Sequence, residues 1–182
     1  MESSWVNTVI LVGDDWRQSI RGHILSELKP YFHVVAVGGG KIAEAGQGKR
    51  LLFVDTEGFQ NIQLERAAVV LGPKARLLKS VHIAPNCYMV ADSSNLKQLE
   101  WLSQKNLKTI SCGLSQKDTL TFSSKKDDRC AVSLQRSLKV CRSTLEPLEL
   151  MLSCGDEKET YPILAAAACL LLTGAHEKSI EH

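Results

Sequence analysis

The chain has 182 residues, enough for one sizeable domain burying roughly 70% of the surface its unfolded form exposes. With 44% hydrophobic and 23% charged residues, its composition is ordinary for a globular protein and excludes a disordered tail or a fibre. The formal charge is +2, with ten Lys/Arg against eight Asp/Glu in residues 1–91 and twelve against twelve in 92–182, so neither half is a basic arm for nucleic acid.

Thr8-Val-Ile-Leu-Val12 is a β-branched run, the pattern of a fully buried strand. Asp14 or Asp15 then caps a helix in which Trp16, Ile20, Ile24 and Leu28 recur every fourth residue, and Pro30 stops it. His33-Val-Val-Ala-Val37 predicts a second strand, ended by Gly38-Gly39-Gly40, and Leu51-Leu-Phe-Val-Asp55 a third, ended by Thr56-Glu57-Gly58. Residues 62–71 are ambiguous between a helix around Leu64 and a strand at Ala68–Leu71. Tyr88–Ala91 predicts a strand, Leu96, Leu99 and Leu102 a helix, and Leu107–Ser111 another strand. Strand and helix alternating in this way imply a mostly parallel sheet flanked by helices.

The pattern changes after Gly113. Asp118–Ser123, Cys130–Leu134 and Leu148–Leu152 predict three antiparallel strands, with a polar turn at Lys125–Asp128. A final helix begins near Tyr161-Pro162, where proline suits the first turn. It is apolar all round to Leu172 and should be buried. The reading is therefore one domain over 1–182: an α/β part at 1–113, antiparallel strands at 114–160 and a closing helix at 161–175.

Chemistry is sparse along this frame. The longest apolar run, Ile163–Leu172, is ten residues, against about 20 for a bilayer span, and Met-Glu-Ser-Ser-Trp lacks the basic and apolar segments of a signal peptide. Six cysteines lie no closer than eleven residues apart, which excludes paired CxxC zinc knuckles and fits free thiols in a reducing cytoplasm. The five histidines form no HxH, HxxxH or HExxH pattern, so no metal site is expected. Gly38-Gly-Gly40-Lys-Ile-Ala43 satisfies a loose G-x-G-x-x-[GA], but only about eight residues precede the next strand, so it reads as a turn or mobile loop. Lys74, Arg76 and Lys79 read as a solvated basic loop. Asp55 and Glu57 sit at the C-terminal end of a strand, where open α/β sheets place ligands.

The order of these elements resembles the central, ATP-binding domain of the Mur ligases, the cell-wall enzymes that join amino acids to UDP-muramyl precursors. Met89-Val-Ala-Asp92-Ser-Ser is similar to the family's vlN-x-Dd strand end, and Thr109-Ile-Ser-Cys-Gly113 to its tfG strand. Tyr161-Pro-Ile-Leu-Ala-Ala-Ala-Ala168 is similar to its yNalAAiA helix. By the same resemblance Val9–Gly13 is the P-loop strand, and Phe53-Val-Asp55 the strand ending in a metal-linked acid. The departures fall on the chemistry. In place of TGTNGKTT the chain has Val12-Gly13-Asp14-Asp15-Trp16-Arg17-Gln18-Ser19, so Trp16 replaces the second glycine and Arg17 the phosphate-binding lysine. Two aspartates put negative charge where a triphosphate sits, and Pro162 replaces the asparagine that contacts adenine. The tN-x-x-x-DH segment and the family's flanking UDP-binding and amino-acid-binding domains have no counterpart.

These residues lead to the expectation of a bacterial, cytoplasmic, Mur-ligase-like binding or interaction module, a pseudoenzyme with a degenerate P-loop. It would need no cofactor, and ATP with magnesium would bind weakly or not at all. No metal site, nucleic acid or membrane is expected; the partner is a small polar ligand or another protein. Three loops should meet at one sheet edge and form the site from Gly13, Asp14, Asp15, Arg17, Gly38, Gly39, Gly40, Lys41, Asp55 and Glu57. One alternative is an enzyme acting on a phosphorylated or cell-wall-precursor ligand through a non-standard phosphate loop. Another is a structural homo-oligomeric subunit, such as a homodimer that buries a sheet edge.

Overall fold

The computed structural model describes residues 5–14, 20–77, 80–154 and 160–179. In chain order the elements are β1 (Thr8–Val12), α1 (Ile20–Leu28), β2 (Phe32–Gly38), β3 (Lys41–Ala45), β4 (Lys49–Thr56), β5 (Asn61–Ile62), β6 (Ala68–Leu71), β7 (His82–Ile83) and β8 (Tyr88–Asp92). They continue as α2 (Leu96–Gln104), β9 (Lys108–Gly113), β10 (Leu120–Lys126), β11 (Arg129–Leu134), β12 (Leu138–Val140), β13 (Ser143–Leu145), β14 (Glu149–Ser153), α3 (Thr160–Thr173) and α4 (Ala175–Ser179).

Ten strands form one mixed sheet in the order β14-β11-β10-β9-β8-β6-β1-β4-β2-β3. From β10 to β2 every neighbouring pair is parallel, while β11 and β14 at one end are antiparallel. The three-stranded antiparallel unit expected after residue 113 is therefore present as β10, β11 and β14. At the other end, Lys41–Ala45 forms an antiparallel hairpin strand on β2. The reading of Gly38–Ala43 as a turn or mobile loop is corrected here: the turn is two residues long, and a strand fills the span that a crossover helix would need. The alternation signal was absent because all five residues of β3 are exposed, so neither face demanded apolar side chains. Two small pairs, β5 with β7 and β12 with β13, complete the strand structure.

The chain returns from β3 to β4 by passing round the start of β2 through Gly46-Gln47-Gly48. Gly46 has φ +88°, and a Cβ there would lie 2.2 Å from the Phe32 carbonyl oxygen. Only glycine passes that close to backbone in that conformation.

Each sheet face carries its own core. On one face, Val9 and Leu11 of β1, Val34 of β2 and Leu51 and Phe53 of β4 pack under α1 and α3. Helix α1 contributes Ile20, Ile24 and Leu28, the four-residue stripe legible in the sequence. Helix α3 is buried on all sides from Tyr161 to Thr173, packed against α1 and against β6, β8, β9, β10 and β14 of the sheet. The Tyr161 hydroxyl is 2.8 Å from the Leu71 carbonyl at the end of β6 and 3.1 Å from that of Val90 within β8, so it can donate to either. Burial pushes the Tyr161 phenol well above its ordinary range and keeps it a donor. On the other face, Ile10, Val12, Val69, Leu71 and Met89 pack against Trp101 and Leu102 of α2. All six cysteines are free thiols, five of them buried, and burial pushes Cys130 and Cys169 up to about 12. Among the described residues, no helix is long and apolar enough to cross a membrane.

Candidate ligand cleft

Because β1, β4 and β2 are parallel neighbours, their C-terminal ends converge on one rim. The rim is stitched by backbone hydrogen bonds. Gly13 N–H donates to the Thr56 carbonyl (2.8 Å), Gly72 N–H to the Val12 carbonyl (2.8 Å) and Lys74 N–H to the Gly13 carbonyl (2.9 Å). The turn after β6 thus crosses directly over Gly13, whose Cβ, if it had one, would sit 2.1 Å from the Ala75 nitrogen. Asp14 follows, and its Oδ2 accepts from the Arg21 backbone N–H of α1 at 3.2 Å. A side-chain carboxylate therefore satisfies one of the first amides of that helix, the position at which helices attract anions.

Beside this rim lies an open cleft of about 1320 Å³. Gly13 and Asp14 contribute to its wall, together with Arg21, Gly22 and Leu25 of α1, Gly39 at the hairpin tip, and Asp55 and Thr56 at the end of β4. The Glu57–Gln60 loop, Lys74 and Arg76 complete the lining. Charges of both signs face one another across it. Arg21 Nη1 lies 3.4 Å from Asp55 Oδ2, with the Asp55 side chain 23% exposed. Arg76 Nη2 lies 3.7 Å from Glu57 Oε2, but both side chains are largely exposed, so water screens that pair. Thr56 Oγ1 donates to the Gly58 carbonyl at 2.9 Å and accepts from the Gly58 N–H at 3.4 Å, which shapes the loop carrying Glu57. Phe59 and Leu25 add apolar surface. The arrangement can hold a small ligand carrying both signs of charge.

The residues expected from sequence divide accordingly. Gly13, Asp14, Gly39, Asp55 and Glu57 come together in the cleft wall. Gly38 lies behind it, so close to Asp55 that an added Cβ would be 2.6 Å from the Asp55 Cβ. Gly40 and Lys41 belong to the hairpin turn and the start of β3, exposed and outside the lining. Asp15 and Arg17 lie outside the described residues, as do Trp16, Gln18 and Ser19. Lys74 and Arg76, read from sequence as a solvated loop, are exposed but form part of the wall. The turn at Gly72-Pro73 folds them back onto Gly13, a tertiary contact with no local signature. Arg21 was missed; its signal was a lone arginine beside Gly22 in the first turn of an otherwise apolar helix stripe. Among the described residues there is no cluster of three or more metal-ligating side chains.

No protein-family model matches the chain, and no curated protein is similar to it in sequence. Solved structures do match. The chain superposes on MurF from Acinetobacter baumannii with a TM-score of 0.57 at 12% identity, covering 93% of this chain and 43% of that one. The fold is that of a Mur ligase central domain. MurF from Thermotoga maritima, solved in complex with ADP, matches with a TM-score of 0.53 at 13% identity, over 95% of this chain and 46% of the other. The UDP-N-acetylmuramate:L-alanyl-gamma-D-glutamyl-meso-diaminopimelate ligase from Neisseria meningitides gives 0.52 at 12%, over 93% and 62%. The chain thus spans about half the length of these Mur ligases. At such identities the likeness carries the Mur-ligase-like fold and leaves the activity to be argued from the site.

Proposed function

We propose that this Mur-ligase-like chain is a non-catalytic binding module of the bacterial cytoplasm. Its cleft at the ends of β1, β4 and β2 takes a small zwitterionic ligand or the polar loop of a partner. One observation carries this reading: Gly13 and Asp14, the first residues after β1, are engaged within the chain. The N–H and C=O of Gly13 are bonded to Thr56 and Lys74, Ala75 occupies the space above Gly13, and the Asp14 carboxylate accepts from α1. A triphosphate would meet Asp14, Asp55 and Glu57, and like charge opposes it. These contacts and charges weigh against ATP with magnesium as the ligand.

The second reading, an enzyme acting on a phosphorylated or cell-wall-precursor ligand, is favoured by the three cations of the wall, Arg21, Lys74 and Arg76. Calorimetry and thermal shift with three probes separate the two: free amino acids and dipeptides, inorganic pyrophosphate, and ATP with magnesium. The expected outcome is stabilisation by a zwitterionic probe, about 2.7 kcal/mol at 100 times its dissociation constant. Arg21→Ala should weaken that binding about tenfold, or about 1.4 kcal/mol. A micromolar dissociation constant for ATP with magnesium, about −8 kcal/mol, would overturn the proposal and move the enzyme ahead.

A further inference from the structure

Of the described ion pairs in the cleft wall, Arg21–Asp55 is the more sheltered. Its side chains are 37% and 23% exposed, against 75% and 91% for Arg76 and Glu57. The pair meets through one contact, Arg21 Nη1 to Asp55 Oδ2 at 3.4 Å, whereas a charge-assisted bond closes to about 2.7–2.9 Å. Among the described residues neither side chain makes another hydrogen bond or ion pair. Most of the guanidinium donors and one carboxylate oxygen therefore stay open to a third group.

Charge decides which group can use both. A simple anion is drawn to Arg21 and repelled by Asp55, and a simple amine meets the reverse. A ligand with both charges close together satisfies each partner and closes a ring in which the signs alternate. Water screens the outer pair, Arg76 with Glu57, so discrimination falls to the inner one. Since Arg21 and Asp55 touch, the two charges of the ligand must also be near neighbours. The carboxylate and ammonium of an α-amino acid share one carbon, whereas in a dipeptide a peptide unit separates them. Apolar surface flanks the pair. Leu25 stands one turn beyond Arg21 on the same face of α1, and Phe59 follows the Glu57–Gly58 turn after Asp55.

We propose that the cleft binds an α-amino acid with an apolar side chain. Its carboxylate lies on Arg21, its ammonium on Asp55, and its side chain against Leu25 or Phe59. This rests on the reading of the cleft as a zwitterion site and narrows it to one chemical class.

Calorimetry on the full chain with L-leucine and three relatives tests it. Isocaproate lacks only the ammonium of leucine, isopentylamine only the carboxylate, and glycine only the side chain. Leucine should bind about tenfold more tightly than each of them. Arg21→Gln should erase the advantage of leucine over isopentylamine and keep its advantage over isocaproate; Asp55→Asn should do the opposite. Circular dichroism establishes first that the variants are folded, and the four ligands on the native chain decide if one is not. Unchanged ratios in the folded variants would overturn the proposal. Binding of glycylleucine without binding of leucine, or glycine matching leucine, would overturn it and leave the zwitterion reading standing. A relative with one charge that matches leucine, or no binding by any zwitterion, would overturn both.

Discussion

Glu27 shows how a single side chain can set the pH response of the molecule. It sits half-buried on α1 near β14, and burial raises its carboxyl above the ordinary glutamate value of 4.5. A backbone hydrogen bond from Ser153 and the charges of His23 and Arg129 pull the other way without cancelling it. A carboxyl whose folded pKa is raised binds its proton more tightly in the native state. Its contribution is complete below 4.5 and fades as pH climbs through the raised value. Glu27→Gln keeps an acceptor for Ser153 and abolishes the charge that burial penalises. The variant should therefore melt higher than the native chain at pH 7, and the difference should vanish near pH 4. Thermal melts across that range check both signs; a variant that melts lower at pH 7 would show that the ion pairs outweigh burial. At this scale the sequence was least informative about the site. Gly13, Asp14, Asp55 and Glu57 could be placed because strand ends are legible, whereas Lys74 and Arg76 reach the cleft through a turn whose direction no local pattern encodes.

Among elements, the hairpin β2–β3 and its return to β4 had the weakest sequence signal. Strands β1 and β8 were visible as apolar runs because both faces of the sheet are covered there, and α1 because one stripe meets the core, whereas β6 stayed ambiguous with a helix around Leu64. All five residues of strand β3 are exposed, so they carry no burial pattern; only the spacing of glycines at 38–40, 46 and 48 hints at its bounds. That spacing has a thermodynamic counterpart. Gly46→Ala must force a Cβ against the Phe32 carbonyl at a left-handed φ, where neither the side chain nor the backbone can yield cheaply. The substitution should cost about 1–3 kcal/mol. Chemical denaturation with an unchanged slope and a lower midpoint would be the signature, and an unaltered midpoint would mean that the crossing relaxes freely.

For the whole molecule, the decisive arrangement is the packing of α3 against both α1 and the sheet. Tyr161 ties its first turn to the parallel strands, reaching the Leu71 carbonyl at the end of β6 and the Val90 carbonyl in the middle of β8. Tyr161→Phe preserves the ring but leaves both buried carbonyls without that donor, at a cost of about 1–3 kcal/mol. A loss of about 2–4 °C in Tm per kcal/mol follows for a domain of this size. Melting by calorimetry reads the loss directly, and an unchanged Tm would mean that other donors reach those carbonyls. The architecture itself was largely legible, since continuous apolar strands followed by alternating ones dictate parallel and then antiparallel pairing. Helix α3 also imposes an order on biosynthesis. Every described strand leaves the ribosome before it, so the growing chain presents bare the part of one sheet face that α3 will cover, with Val90, Ile110 and Leu120. Until residues 160–173 emerge, that surface is a client for holding chaperones, and a ribosome stalled before them would display a sticky, protease-sensitive nascent sheet.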